Sequence, residues 1–335
     1  MSKVSHMTSC RLCPRDCGAD RQAGHTGVCG QTDQVKAARA ALHMWEEPCI
    51  SGRNGSGTVF FSGCSLHCVF CQNQNIANGT AGKTISVERL ADIFLELQAK
   101  NANNINLVTP GHFVPQIVQA LDIARTKGLK IPIVYNTGSY EKVETLRMLD
   151  GYVDVYLPDL KYVEETRSEK YSHAPDYFEV ASAAIAEMVR QTGEPQFLPE
   201  QLIGGSENWR DEEKFLTEEY QKYSQDHDGD GIMVRGTLVR HLLLPGGRND
   251  SDKVIRYLLD TYGDTIFISL MSQYTPLSQA EAYPELNHRV TEEEYEELVQ
   301  NAITLGLENG FIQDGETAKE SFIPEFDGQG ILAER

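Results

Sequence analysis

The sequence predicts an α/β fold in which six parallel strands alternate with helices, behind an irregular, cysteine-rich N-terminal segment. Three observations carry that expectation. From residue 58 onward, short β-branched and aromatic runs alternate with stretches of helical period. The chain has 335 residues and is 40% apolar, enough to bury a sizeable core. All eight cysteines lie before residue 72, so their chemistry is confined to one end. Strands alternating with helices imply a parallel sheet with right-handed crossovers. Six such units close partway into a barrel or open into a doubly wound sheet.

Taken in order, residues 1–57 read as irregular, with one short helical candidate at Val35–His43. Thr58–Ser62 is the first buried strand. Ser86–Lys100 is an amphipathic helix with Leu90, Ile93, Phe94 and Leu97 on one face and Ser86 as N-cap. Ile105–Pro110 is a strand, and Phe113–Lys127 a helix closed by Gly128. Ile131–Thr137 and Val153–Lys161 are strands, with helices at Tyr140–Leu149 and Pro175–Gln191. Thr237–Pro245 and Thr265–Tyr274 are strands flanking the helix Ser251–Tyr262, and Thr291–Leu305 is the last helix.

The stretch at about 194–231 is polar and acidic and breaks this rhythm, so it reads as a surface insertion. Asp226, Asp228, Asp230 and Gly231 match the first half of a calcium loop, but Thr237 stands where a bidentate Glu is needed. The expected organisation is therefore a metal-binding segment at 1–57, a core at 58–310 carrying the insertion, and a tail at 311–335.

Thirty Lys and Arg against 49 Asp and Glu give a net charge of −19. Such a chain repels phosphate backbones and anionic lipid, which argues against nucleic-acid and membrane partners. MSKVSHMTSCRLC has no apolar stretch of signal-peptide length, so the expected compartment is the cytoplasm, where thiols stay reduced. The cysteines are then expected to be metal ligands or catalytic groups rather than disulfides.

After the first strand comes Cys64-Ser-Leu-His-Cys68-Val-Phe-Cys71. Three thiolates in one tight loop hold three irons of a cubane and leave the fourth without a protein ligand, which suits a cluster that binds a substrate. Phe70, just before the third cysteine, is placed to shield the cluster or to contact an adenine ring. The alternative is a zinc knuckle completed by His67 or Cys49.

This pattern, placed after strand one, resembles the radical S-adenosylmethionine (SAM) superfamily. The stretches EEPCISG, GSGTVFFSGCSLHCVFCQNQNIA, NINLVTP, IPIVYNTGSYE, VDVYLPDLKY, VRHLLLPG and ISLMSQYTP are similar to uncharacterised relatives of the pyruvate formate-lyase activating enzymes. The resemblance implies a partial (β/α)6 TIM-like barrel of the radical SAM type. It implies a 4Fe-4S cluster on Cys64, Cys68 and Cys71 whose open iron binds SAM. It also implies reductive cleavage of SAM to a 5′-deoxyadenosyl radical that abstracts hydrogen from a substrate. That substrate is a backbone glycine of a glycyl radical enzyme, in an activase-like role, or a small metabolite or peptide. A low-potential donor such as flavodoxin or ferredoxin would supply the electron.

Ligands of parallel α/β folds sit at the carboxyl ends of the strands. Strand two ends at Thr109-Pro110-Gly111-His112, where superfamily members often carry a Gly-Gly-Glu that meets the SAM amino group; here the resemblance leaves that role to the backbone near Thr109–Gly111, with His112 as a polar partner or else an N-cap or solvent contact. Strand three ends at Asn136-Thr137, where the relatives have Asp-Thr beside a monovalent cation. Asp159 and Lys161 end strand four, and the resemblance places them at the SAM carboxylate and ribose. Of Arg240 and His241 only one points inward. Either Gln273 or Tyr274 is expected to meet the adenine or ribose.

Cys10, Cys13, Cys17 and Cys29 supply four thiolates within one short segment, for a structural zinc or a second iron–sulfur cluster. The scarcity of apolar residues there favours zinc as a staple. Cys49 is left as a small buried hydrophobe or a reserve ligand. From a different class, the chain would be a non-catalytic iron–sulfur or zinc protein serving electron transfer or assembly.

Overall fold

A computed structural model of the chain describes residues 7–203, 231–313 and 324–333. Ten strands form one sheet: β1 Lys36–His43, β2 Ser56–Phe61, β3 Lys83–Thr84, β4 Ile105–Val108, β5 Ile133–Thr137, β6 Val155–Pro158, β7 Gln196–Leu198, β8 Ile232–Leu242, β9 Phe267–Met271 and β10 Gly310–Ile312. Their order is β10-β9-β8-β6-β5-β4-β2-β1-β3, with β7 paired to β8. From β2 to β10 the pairings along this path are all parallel, and the path does not close, so the fold is an open partial barrel.

The helices are α1 Pro48–Ser51, α2 Gln74–Ala77, α3 Val87–Ala99, α4 Val114–Thr126, α5 Val143–Leu146, α6 Glu165–Ser172, α7 Tyr177–Thr192, α8 Arg248–Tyr262 and α9 Glu292–Thr304. Local chemistry sets their starts. The Ser86 hydroxyl accepts from Arg89 N–H at the head of α3, and Thr291 and Glu294 form a capping box at the head of α9.

Every residue of β2, β4, β5 and β6 is buried, as expected for strands covered on both faces. Alternation along them sorts two environments. Ile133, Tyr135 and Tyr156 point outward, where β5 and β6 pack beneath α4 and α7 with Ile117, Leu121, Ala184 and Met188. Val134, Val155, Leu157 and Leu238 point inward and meet Cys49 and Ile50 of α1.

Helix α1 plugs the bottom of the partial barrel. Asn104 at the start of β4 donates to Ile50 O at 2.7 Å and Asn103 donates to Ser51 O at 2.8 Å. Full burial of Ile50 contributes about 1.5–3 kcal/mol to holding the plug.

Four expectations need correction. Val35–His43 is not helical. Its alanines have high helix propensity, but β2 offers a free edge, and the antiparallel ladder running from Ala37↔Phe61 to His43↔Ser56 prevails. The first 57 residues are therefore not wholly irregular. Tyr140–Leu149 holds only one α turn followed by a 3₁₀ turn. α6 went unseen because its residues are mostly polar.

The insertion begins within the sheet. Phe197 of β7 packs on Phe267, with centroids 5.0 Å apart, and Glu200 accepts from the backbone of Arg53 and Asn54. Asp226, Asp228 and Asp230 lie outside the described residues, while Thr237 is buried mid-strand with its hydroxyl on Thr192. Beyond β10, residues 328–329 bond to Ala38 and Ala40 of β1. No helix among the described residues is long and apolar enough to cross a membrane.

Candidate active site

A cavity of about 720 Å³ opens at the carboxyl ends of the strands, within the size range of small-molecule sites. The cysteine loop forms one wall. Gly63 opens the loop at φ +92°, where a Cβ would collide with the Cys29 carbonyl, so β2 can only turn into the loop through glycine. Cys64, Cys68 and Cys71 all line the cavity. Ser172, at the end of α6, donates to Cys68 Sγ at 3.0 Å, and Leu66 N–H donates to Cys64 Sγ at 3.4 Å. Burial pushes the Cys68 thiol up to about 11 and Cys71 up to about 12, the neighbouring thiols adding to the effect. Metal binding here must therefore displace protons.

The donor set fits a cubane. It offers three sulfurs on one loop, two of them receiving hydrogen bonds, in front of an open cavity. Among the described residues no group of three His, Cys, Asp or Glu side chains is arranged to hold a single ion. A cubane distributes its ligands over separate irons, so the loop does not need that convergence.

A charged network also lines the cavity. Asp159 accepts from Lys161 Nζ at 2.7 Å and from Arg240 Nε at 2.8 Å. Arg240 also donates to Glu46 Oε1 and to Asn136 Oδ1, each at 2.7 Å. Glu46 Oε2 accepts from Asn106 at 2.9 Å and Asn136 at 3.2 Å. Burial raises the Asp159 carboxyl, but Arg240 and Lys161 more than reverse this and leave it below its ordinary value. Asn136 is thus an arm of this network, with both ends of its amide engaged. Phe70 is buried, edge-on to Tyr162 at 6.3 Å with Lys161 Nζ 6.0 Å from its ring centroid.

Thr109 lines the cavity at φ +56°, a strained conformation for a β-branched residue. Its N–H donates to Asn136 O. His112 is neither an N-cap nor a solvent contact. It is buried, its ring bonds Ser62 O at 2.7 Å and its carbonyl accepts from Arg21, and burial lowers its pKa to about 3. Arg240 is the inward residue of its pair, whereas His241 bridges Leu160 O and Ser251 on the far side. Gln273 lines the cavity, while Tyr274 is buried with its hydroxyl on Leu286 O. Cys49 is fully buried in the plug's apolar cluster.

Three carboxylates at the cavity escaped sequence reading. Glu46 and Glu47 belong to the plug, and Glu141 follows β5. Glu47 accepts from Ser269 at 2.9 Å, and burial raises its carboxyl to about 7. Glu141 accepts from Thr137 at 2.7 Å and Tyr135 at 3.2 Å, and burial raises it likewise to about 7. Each sits beside a strand end or a proline, where acids ordinarily read as solvated loop. The only available signal was the presence of both segments in the quoted stretches EEPCISG and IPIVYNTGSYE.

The N-terminal thiols form a set of their own. Burial drives Cys13 up to about 12, with Cys29 and Cys10 as charged neighbours; Cys29 is raised with Cys10 and Cys17 beside it. Cys13 also lines the cavity. The segment is clamped to the cysteine loop and α6. Arg15 donates to Ser65 O at 2.8 Å and to Ser172 O at 3.1 Å, and the His67 ring bonds Val28 O at 2.8 Å.

Residues 58–217 match the family model of the Radical SAM superfamily. An uncharacterized protein of Methanocaldococcus jannaschii is 26% identical over 307 residues, 90% of this chain and 76% of its own length. A domain of a pyruvate-formate lyase-activating enzyme from Bacteroides vulgatus is similar at 12% identity and TM-score 0.36, over 60% of this chain and 91% of its own. Streptococcus suis SuiB bound to S-adenosylmethionine is similar at 12% identity and TM-score 0.45, over 75% of this chain and 47% of its own. The same protein bound to its precursor peptide SuiA gives 13% identity and TM-score 0.45. The chain thus spans about half the length of SuiB. The part of the chain that matches the Radical SAM superfamily model is thus the stretch that carries the Cys64–Cys68–Cys71 loop, Asp159 and Lys161.

Proposed function

We propose that this chain is an enzyme that cleaves SAM reductively and uses the resulting 5′-deoxyadenosyl radical to take a hydrogen atom from a substrate. The observation that carries this reading is the separation of two thiol sets. Cys64, Cys68 and Cys71 line the cavity from one loop, which carries no fourth cysteine, whereas Cys10, Cys13, Cys17 and Cys29 lie together in the N-terminal segment. A 4Fe-4S cluster held by Cys64, Cys68 and Cys71 would supply the electron at an open coordination position.

The chain's own residues bind and orient. Lys161 presents its ammonium to the SAM carboxylate, and Asp159 and Arg240 hold Lys161 in place. Phe70, Thr109 and Gln273 line the space for the nucleoside end. The plug closes the floor and limits water. The hydrogen donor is a backbone glycine of a glycyl radical enzyme, in line with the resemblance, or a small metabolite or peptide. A flavodoxin- or ferredoxin-type donor supplies the electron. Cys10, Cys13, Cys17 and Cys29 hold a second metal centre. That centre is a structural zinc or a second iron–sulfur cluster.

The test is spectroscopic. In anaerobically reconstituted, reduced protein, added SAM should change the electron paramagnetic resonance signal of the cluster, and the change should vanish in Cys68→Ala. An intact cluster signal indifferent to SAM would mean a closed, non-catalytic centre.

A further inference from the structure

The N-terminal segment carries an arginine that water does not reach. Arg21 is 0% exposed, and a guanidinium keeps its charge inside a protein. A cation taken out of water is costly unless an anion meets it. Arg240 meets that need with Asp159 and Glu46. Arg21 does not. Its Nε and Nη2 donate to Thr32 O at 3.1 and 2.6 Å, and Nη1 donates to His112 O at 2.7 Å. These are neutral carbonyls, and the Phe113 ring, its centroid 5.6 Å away, carries no net charge either. Among the described residues no carboxylate bonds to the guanidinium. The remaining contact is a thiol, Cys10 Sγ, 3.7 Å from Nη1.

Cys10 belongs to a folded set. Its N–H donates to Ala19 O and its carbonyl accepts from Gly18 N–H, each at 3.0 Å, so the chain just after Cys17 runs back alongside it. Cys17 in turn reaches the turn that carries Cys29. A Cβ on Gly27 would stand 2.6 Å from Cys17 Sγ, and Gly30 N–H donates to Gly27 O across that turn. Burial raises the Cys29 thiol, and Arg21 is the strongest influence opposing it, so the guanidinium faces more of the set than Cys10. When four such thiols take up a zinc ion, or the core of an oxidised 4Fe-4S cluster, their protons go to solvent. Two positive charges against four thiolates leave two negative ones. A centre of either kind supplies the anion that Arg21 lacks.

We propose that Arg21 is the buried countercharge of an anionic metal–thiolate centre on Cys10, Cys13, Cys17 and Cys29, and that its bond to the His112 carbonyl fixes this centre to the end of β4. The His112 ring holds Ser62 O, two residues before Cys64, so the N-terminal centre and the cysteine loop share one buried strut. Arg21 is a positioning residue. This assignment rests on the reading of a second metal centre above.

The test is Co2+ binding to the full chain in which Cys64, Cys68 and Cys71 are replaced by Ala, so that only the N-terminal set loads. The readout is the thiolate-to-cobalt charge-transfer absorption. Affinity is the difference between the loaded and the metal-free chain, so a residue that supports both alike leaves it unchanged. Arg21→Met keeps the length without the charge and should weaken Co2+ binding about 10- to 100-fold. Arg21→Lys should recover most of the affinity. Arg21→Gln is neutral but can still donate to the Thr32 and His112 carbonyls. It should lose as much as Arg21→Met, so the test survives if Arg21→Met folds poorly. Unchanged affinity in either neutral variant would overturn the assignment, as would Arg21→Lys falling as far as they do. No charge-transfer band in the chain that keeps Arg21 and its four N-terminal cysteines would overturn the second metal centre itself, a result distinct from either.

Discussion

Replacing Arg240 with Met tests whether the charged network organises the cavity. The side chain makes three short bonds, to Asp159 at 2.8 Å and to Glu46 and Asn136 at 2.7 Å. Its exposure is 12%, against 12% for Glu46 and 18% for Asp159, so water screens it little. Removing one partner of such a buried set costs about 3–5 kcal/mol, because the remaining charges stay desolvated. Here Asp159 keeps Lys161, and Glu46 keeps Asn106 and Asn136, so the expected loss lies near the lower end, about 3 kcal/mol. Urea unfolding of the reduced, metal-free chain at pH 7 measures it as a lower midpoint at unchanged slope. The sign with pH follows from Asp159. Its folded pKa lies below the ordinary 3.8, so its pairing stabilises the fold above that value and loses effect as pH falls through the folded pKa. The gap between wild type and variant should therefore narrow below about pH 4. Adding Glu46→Gln should recover part of the loss. A variant within 1 kcal/mol of wild type at pH 7, roughly the worth of a surface pair, would refute the reasoning.

Three further outcomes follow from the same geometry. Lys161→Ala should weaken SAM binding by about 1.5–3 kcal/mol in equilibrium dialysis and leave cluster absorbance unchanged. For Glu47, a folded pKa of about 7 against an ordinary 4.5 means that the wild type loses stability as pH rises between those values. Glu47→Gln should remove up to about 3 kcal/mol of that slope in urea titrations from pH 4.5 to 8; parallel curves would place the carboxyl in water. Cys13→Ala should speed proteolysis of residues 1–45. Because Arg15 ties that segment to Ser65 and Ser172, it should also broaden the cluster signal, whereas an unchanged signal would make the two centres independent.

The alternation of strands and helices was legible because its signals are local: Ser86 before an amphipathic face, glycines after helices, continuous apolar runs in doubly covered strands. The position of the cysteine loop followed from the same rhythm. What stayed hidden is non-local. Glu46 meets Arg240 across 194 residues, and nothing near either residue foretells the other. Glu141 faces Gly111 only because β4 and β5 are neighbours. The strand β1 was concealed by alanines whose helix propensity yields to a free sheet edge. Asp159 and Lys161, expected together at the end of strand four, bond to each other, so the ammonium reaches the cavity already oriented.

The central claim, that the Cys64–Cys68–Cys71 loop supports reductive SAM cleavage, has a direct measurement. Wild-type protein is reconstituted anaerobically, its cluster content is determined, and SAM and dithionite are added. 5′-Deoxyadenosine should accumulate in wild type and be absent when Cys64, Cys68 or Cys71 is replaced by Ala. No 5′-deoxyadenosine from wild type with a confirmed cluster, or undiminished formation in any of the three variants, would contradict the account.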